Sequence, residues 1–379
     1  MSGSDYTQTP NLRLYKPVYD ADAEQWGNHL NQNADTLDLA LGTSGAGALF
    51  LPLAGGTVTG NLTVNGALAG NVTAAGSTAS RALQDRFHDL RTPYDWGAKG
   101  DGTTDDTAAL QAAFNQLGTE GGGRLYIPGS FRAVGALTVP ASVEVYGDFT
   151  PTSQQYTGSV SYFQVGGSKL ILGTSGITLG KSNILRNIMV IADSLPRGNP
   201  TTNAAAASLV TGMASAGTGI TLSADNCLLD SVQVLGFNYG IYASGDPNGD
   251  RHMLRNIHGD CNNCIYLAHF GDTTRIQGAH FWPYLTANSP GTPTDLTRPG
   301  NGIWLDTVNC NTPVSQATVF GWMKCFLVNA TSAIFNQCWS DGSGVLGSTG
   351  FATTGACGPV QLCACVAVAT QISVHHAPT

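Results

Sequence analysis

Two apolar periods organise this chain in succession. Leu110, Ala113, Phe114 and Leu117 recur at i, i+3, i+4 and i+7, which predicts one face of a short helix. Gly121, Gly122 and Gly123 end it, and Leu125 and Ile127 then alternate with their neighbours as in a strand. Beyond Pro128 the apolar runs are short. Glycine-punctuated strands are predicted at Leu137–Val139, Val143–Tyr146, Lys169–Leu172 and Ile177–Leu179. One pattern then recurs in Leu185-Arg-Asn-Ile188-Met-Val190, Leu229-Asp-Ser-Val232-Gln-Val234, Leu254-Arg-Asn-Ile257-His-Gly259 and Ile276-Gln-Gly-Ala279-His-Phe281. The second gap residue is Asn, Ser, Asn or Gly, each a bend former. Intervals of 44, 25 and 22 residues fit coils of about 22, with one or two coils in the first gap. This is the period of a β-solenoid, in which no coil buries its inner face without a neighbour.

A second strand follows in each coil. Gly240-Ile241-Tyr242-Ala243 aligns with Cys264-Ile265-Tyr266-Leu267, Gly302-Ile303-Trp304-Leu305 and Cys325-Phe326-Leu327-Val328. Alternation directs Ile241, Ile265, Ile303 and Phe326 inward and Tyr242, Tyr266 and Trp304 outward. Coils stack about 4.8 Å apart, so the three rings would form a surface ladder of the kind on which a sugar ring packs. A covering loop, such as residues 286–300, or a neighbouring chain is the competing reading.

Upstream of the short helix, Asp95–Ala98 is predicted to be extended, Gly100-Asp101-Gly102 a turn, and Thr104–Asp106 the helix cap. Asp22–Leu41 is predicted to be helical, with Leu30, Ala34, Leu37 and Leu41 spaced as in a coiled-coil seam. Two heptads hold together only with help, so they would seed a trimer kept together elsewhere or pack on their own chain. Residues 51–76 contain a repeat at an offset of ten, matching Gly56/Gly66, Gly60/Gly70, Asn61/Asn71 and Thr63/Thr73. So short a repeat needs stacked or neighbouring copies to bury anything. A connector follows at 77–92, with a short helix predicted over Arg81–Leu90.

Composition narrows the classes. Among 379 residues there are 48 glycines and only 11% charged residues, which suits turn-rich β-structure rather than a helical bundle or disorder. The net charge of −8 and the absence of a basic cluster argue against nucleic acid as a partner. No apolar run reaches the roughly 20 residues of a membrane helix, so membrane insertion is not expected. Met1–Leu14 lacks the pattern of an export signal. All nine cysteines follow residue 226; the odd number and the missing signal point to free thiols packed as small hydrophobes.

The run DWGAKGDGTTDDTAALQAAF, followed by GGGRLYIP, resembles the N-terminal module of the pectate-lyase-like right-handed parallel β-helices, which bacteriophage tailspikes and tail-fibre depolymerases use often. The resemblance covers about 35 residues and implies an all-β solenoid whose first coil is plugged by the short helix. It does not select among lyases, hydrolases, epimerases and pure binders. Independently, LPLAGGTVTGNLTV resembles the shaft repeats of phage tail fibres, which are homotrimers. His280-Phe281-Trp282-Pro283 is similar to an element common in tailspike β-helices; Trp282 and Tyr284 are therefore candidates for the glycan groove or for a subunit interface.

Hydrolysis of a glycan needs two carboxylates, about 5–5.5 Å apart for retention or 6.5–9.5 Å for inversion. Glutamate occurs only at positions 24, 120 and 144, so aspartates would serve. Asp246, Asp272 and Asp306 fall at or just after the second strand of aligned coils and are the catalytic candidates, although Asp246-Pro-Asn-Gly-Asp250 also has turn chemistry throughout. A lyase would draw on Arg251, Arg255 or Arg275, but no pectate-lyase active-site motif is recognisable. His252, His258, His269 and His280 read as packed or solvent-facing. No cofactor and no metal site are expected.

The organisation expected is virion attachment over 1–50, a fibre shaft over 51–76, a connector over 77–92 and a parallel β-helix over 93–379, in a homotrimer. The implied protein is a phage or prophage tailspike or tail fibre, made in the bacterial host cytoplasm. It would be carried on the virion tail, held by baseplate or tail proteins through its N-terminal region, and would recognise a bacterial surface polysaccharide. Cleavage stays open, with hydrolysis favoured over elimination. A cellular polysaccharide lyase or glycoside hydrolase, and a purely structural virion component, are the alternatives.

Overall fold

The computed structural model describes residues 6–8, 15–17, 28, 30–35, 71–73, 78–87, 89–151, 162–243, 251–268, 274–286, 297–307, 312–342, 347–355, 357–368 and 371–373. The chain divides into two compact units, Met1–Ala69 and Gly70–Thr379. In the first, Tyr6–Gln8 pairs antiparallel with Tyr15–Pro17, and residues 30–35 are helical. Leu37, Leu41 and all of the ten-residue repeat before Asn71 lie outside the described residues.

The second unit is a parallel β-helix. Apart from one antiparallel pair, Asn71–Thr73 with Ser80–Ala82, every strand pairing in it is parallel among the described residues. That pair takes Arg81 and Ala82 into a strand, so the helix expected over Arg81–Leu90 is confined to Leu83–Phe87. Asp95–Ala98 is likewise not extended. Pro93–Trp96 forms a 3-10 turn, because Pro93 presets its backbone angle and the Asp95 carboxylate accepts the Thr92 amide at 2.8 Å.

The capping helix is Thr107–Thr119, and the four side chains of the predicted face, Leu110, Ala113, Phe114 and Leu117, are its buried ones. Asp106 stands at the cap position, but its carboxylate turns back to accept the amides of Lys99 (2.6 Å) and Gly100 (3.0 Å). The neighbouring Asp105 carboxylate accepts the amide of Thr107, the first helical residue, at 3.1 Å, so the cap expected over Thr104–Asp106 is supplied by Asp105. Gly122 closes the other end at φ +129, where a β-carbon would stand 2.5 Å from the Ser142 carbonyl oxygen.

Beyond the helix, each coil contributes a first-sheet strand, a bend and a second-sheet strand. Val145, Leu185, Leu229, Leu254, Ile276, Val314 and Phe335 stack in register along the first sheet, all buried. In the second sheet Leu137, Ile177, Ile220, Ile241, Ile265, Ile303, Phe326 and Phe351 do the same. Each fully buried aliphatic or aromatic side chain contributes roughly 1.5–3 kcal/mol of transfer free energy, so these stacks are the main source of stability. The bend residues Asn187, Ser231, Asn256 and Gly278 have φ of 54°, 57°, 52° and 69°. Left-handed backbone at the same place in successive coils turns each first strand without breaking the stack.

Of the one or two coils expected in the 44-residue interval there is one: Leu185 pairs directly with Leu229. The extra length is an excursion that includes a second helix, Asn203–Met213, capped where the Thr202 hydroxyl accepts the Ala205 amide, and burying Ala206, Leu209, Val210 and Met213. Five of the cysteines, Cys227, Cys261, Cys264, Cys325 and Cys338, are buried free thiols.

Candidate functional site

The second-sheet register places Tyr242 beside Tyr266 and Tyr266 beside Trp304. All three are half-buried on the outer face, while their strand neighbours Ile241, Ile265 and Ile303 are buried. The rings touch in sequence. Tyr242 and Tyr266 stack at 5.3 Å with 27° between planes, and Tyr266 meets Trp304 edge-on at 4.5 Å. Both distances lie within the range for favourable aromatic pairs, about 4.5–7 Å. Tyr239 completes the cluster, 5.4 Å from Tyr242 and 5.6 Å from Tyr266. Strict alternation would have pointed it inward with Ile241, so it was not among the predicted ladder residues. An asparagine network sets the turns that feed these strands: Asn262 donates to Asn238 (2.8 Å) and Asn301 to Asn263 (2.8 Å).

Asp306 ends the Trp304 strand, paired in register with Ala268 on one side and Asn329 on the other. Its carboxylate accepts the Tyr266 hydroxyl at 3.0 Å and the Asn329 side-chain amide at 2.7 Å. The Thr354 hydroxyl donates to Asn329 at 3.0 Å, extending the relay across a further coil. Burial, and then the bond to Asp306, raise the Tyr266 phenol above the usual tyrosine range. With one donor on each oxygen, Asp306 holds the Tyr266 ring in place within the ladder. Asn329 and Thr354 were not predicted, since their nearness to Asp306 depends on which coils stack.

The other catalytic candidates, Asp246 and Asp272, lie outside the described residues. Among the candidate bases of an elimination, Arg255 is engaged with Asp230 through two hydrogen bonds and Arg275 is exposed.

Trp282 and Tyr284 do not join the ladder's sheet; they follow the first-sheet strand His280–Phe281. Trp282 is half-buried, stacked on Phe320 at 4.2 Å and 17°. Tyr284 is 1% exposed, which corrects its assignment as a glycan contact, because its ring presents no face to a ligand. Its hydroxyl lies 2.6 Å from His280 Nδ1 and 3.3 Å from His258 Nδ1, and its carbonyl accepts the Tyr162 hydroxyl. Of the packed and solvent-facing readings these two histidines take the packed one, and burial lowers the pKa of His280.

Residues 94–257 match the family described as rhamnogalacturonase A/epimerase, pectate lyase-like. Over 61 residues the chain is 44% identical to mannuronan C5-epimerase AlgE3 of Azotobacter vinelandii, a stretch of 14% of this chain and 3% of that protein. Identity to alginate lyase 7 of the same organism is also 44% over 61 residues, 14% of this chain and 7% of that one. The chain therefore spans only a small part of the curated relatives it matches. Among solved structures, a tailspike protein of E. coli bacteriophage HK620 in complex with a pentasaccharide is 10% identical, with a TM-score of 0.49 over 82% of this chain and 58% of that one. The phiAB6 tailspike, in complex with three-repeated oligosaccharides of Acinetobacter baumannii surface polysaccharide, is 14% identical, with a TM-score of 0.43 over 76% and 49%. The Dettilon tailspike is 12% identical, with a TM-score of 0.40 over 74% and 70%.

Proposed function

We propose that this pectate-lyase-like parallel β-helix is the glycan-recognising part of a bacteriophage or prophage tailspike or tail fibre, and that the bacterial surface polysaccharide lies along the ladder of Tyr242, Tyr266 and Trp304. The observation that carries the reading is the ladder itself. Three rings from consecutive coils are held in contact, and Asp306 fixes the middle one through its hydroxyl. A row of partly exposed rings matches the apolar faces of successive sugars, and flanking Asp, Asn and Tyr groups suit their hydroxyls. The match of residues 94–257 to a family of polysaccharide-acting proteins supports the substrate class.

The sequence resemblances support the rest of the organisation: attachment over 1–50 to baseplate or tail proteins, a shaft over 51–76, a connector over 77–92, the β-helix over 93–379, and a homotrimer on the virion. Cleavage is a further element of the proposal. Asp306 would act with Asp246 or Asp272 in hydrolysis, at the separation of one or two coils.

The test is binding of the purified protein to a panel of bacterial surface polysaccharides, followed for new reducing ends and for ultraviolet absorbance of unsaturated sugars. Binding with reducing ends alone supports hydrolysis; both signals would replace it with elimination. Binding that persists unchanged in Trp304→Ala and Tyr242→Ala would remove the ladder as the site. A monomer in solution at micromolar concentration would overturn the trimer.

A further inference from the structure

Cys338 and Cys365 occupy the same place in two successive coils. Asn336 pairs with Cys363 and Trp339 with Val366. The bend residues between them, Gln337 and Ala364, share left-handed φ of 55° and 50°. The Val366 amide donates to the Cys338 carbonyl at 2.9 Å, so the two cysteines sit on adjacent rungs. Each thiol donates to a backbone carbonyl of the rung before it. The Cys338 sulfur lies 3.5 Å from the Val314 carbonyl oxygen, and that of Cys365 lies 3.4 Å from that of Phe335. Rungs of a parallel sheet are spaced about 4.8 Å, within the roughly 4.4–6.8 Å between α-carbons that a disulfide spans.

Accessibility separates this pair from Cys261 and Cys264, which are both buried in the middle of the solenoid. Cys365 is half-buried on a rung whose neighbours Leu362 and Val366 are exposed. Cys363 is exposed, whereas Cys365 packs against the core, so these two side chains point apart.

We propose that Cys338 and Cys365 form an oxidisable thiol pair, a modification site at which a small disulfide such as oxidised glutathione is reduced and two rungs of the solenoid become covalently joined. The Cys365 thiolate attacks one glutathione sulfur, forming a mixed disulfide and releasing one glutathione thiolate. The Cys338 thiolate then attacks the Cys365 sulfur, the protein disulfide forms, and the second glutathione thiolate leaves. The two thiol protons end on the two glutathiones, so one oxidised glutathione gives two reduced ones. Burial pushes the Cys338 thiol up to about 12, so the second step is the slow one and accelerates as pH rises.

The experiment treats the full chain with oxidised glutathione at mildly alkaline pH, quenches with acid, alkylates the remaining thiols and maps the peptides by mass spectrometry. The expected product is a Cys338–Cys365 cross-link with two glutathiones released per chain. It persists in Cys363→Ser and is absent from Cys365→Ser, a one-atom change at a half-buried position. A stable glutathione adduct on Cys365 without the cross-link, or a Cys363–Cys365 bond, would overturn the proposal.

Discussion

Asp260 and Arg298 form an ion pair with both side chains at 0% exposure. Arg298 Nε donates to one carboxylate oxygen at 2.6 Å and Nη2 to the other at 2.7 Å; Nη2 also reaches the Thr286 hydroxyl at 3.1 Å, and the Leu285 amide donates to Asp260 at 2.8 Å. The pair thus ties Leu285 and Thr286 to Arg298, the first residue of the strand Arg298–Asp306. Arg298→Met keeps a similar apolar volume but leaves a buried carboxylate with the Leu285 amide as its remaining named donor. Removing one partner of a buried pair costs about 3–5 kcal/mol, or roughly two to three and a half decades in the unfolding constant. Asp260→Asn strands the guanidinium and carries a similar cost. The double substitution leaves no uncompensated charge, so its cost falls well below the sum of the two. Urea unfolding at neutral pH, followed by tryptophan fluorescence and combined as a double-mutant cycle, measures this coupling. Single variants within about 1 kcal/mol of the parent, or strictly additive costs, would refute the reasoning and make the pair equivalent to a surface contact.

Trp304→Ala is expected to weaken polysaccharide binding about 5- to 30-fold, the effect of truncating a central aromatic anchor, measured by calorimetry. Lys169 is buried with its ammonium donating to the carbonyls of Phe163 (2.9 Å) and Val165 (2.6 Å), and burial lowers its pKa to about 8. The unfolded chain, with a pKa of about 10.4, then binds more protons between these values, so the Lys169 contribution to stability rises with pH from about 8 to 10. Denaturant midpoints of the parent and Lys169→Met should converge or cross over that window; parallel profiles would contradict the assignment. Tyr266 has the opposite sign: its raised pKa makes its stabilisation complete below about pH 10 and lost above, and Tyr266→Phe removes the late step from an alkaline absorbance titration. Phe114→Ala opens a cavity under the capping helix and is expected to cost about 3–5 kcal/mol, read as a drop in melting temperature.

The fold was largely legible because a solenoid writes local rules repeatedly. Glycine-punctuated apolar runs located Leu137–Val139, Val143–Tyr146, Lys169–Leu172 and Ile177–Leu179 at the residues where the strands occur. The bends at Asn187, Ser231, Asn256 and Gly278 were visible because those residue types tolerate left-handed backbone. Their successors Gln316, Gln337 and Ala364 adopt the same φ without any such preference. There the stacked coil imposes the bend, and composition carries no trace of it.

The candidate site divides along the same line. The outward direction of Tyr242, Tyr266 and Trp304 followed from alternation within single strands, so the sequence by itself determined it. What those rings touch was decided by tertiary structure. Asp306 meets Tyr266 from 40 residues away and Asn329 from 23, because coils of unequal length lie side by side. The 44-residue coil absorbed a helix instead of another turn, and Tyr284 went to the interior while Trp282 stayed half-buried. Hydrophobic periodicity records which face of a strand is buried. It does not record how much chain leaves between one rung and the next, and in a solenoid that length decides which side chains become neighbours.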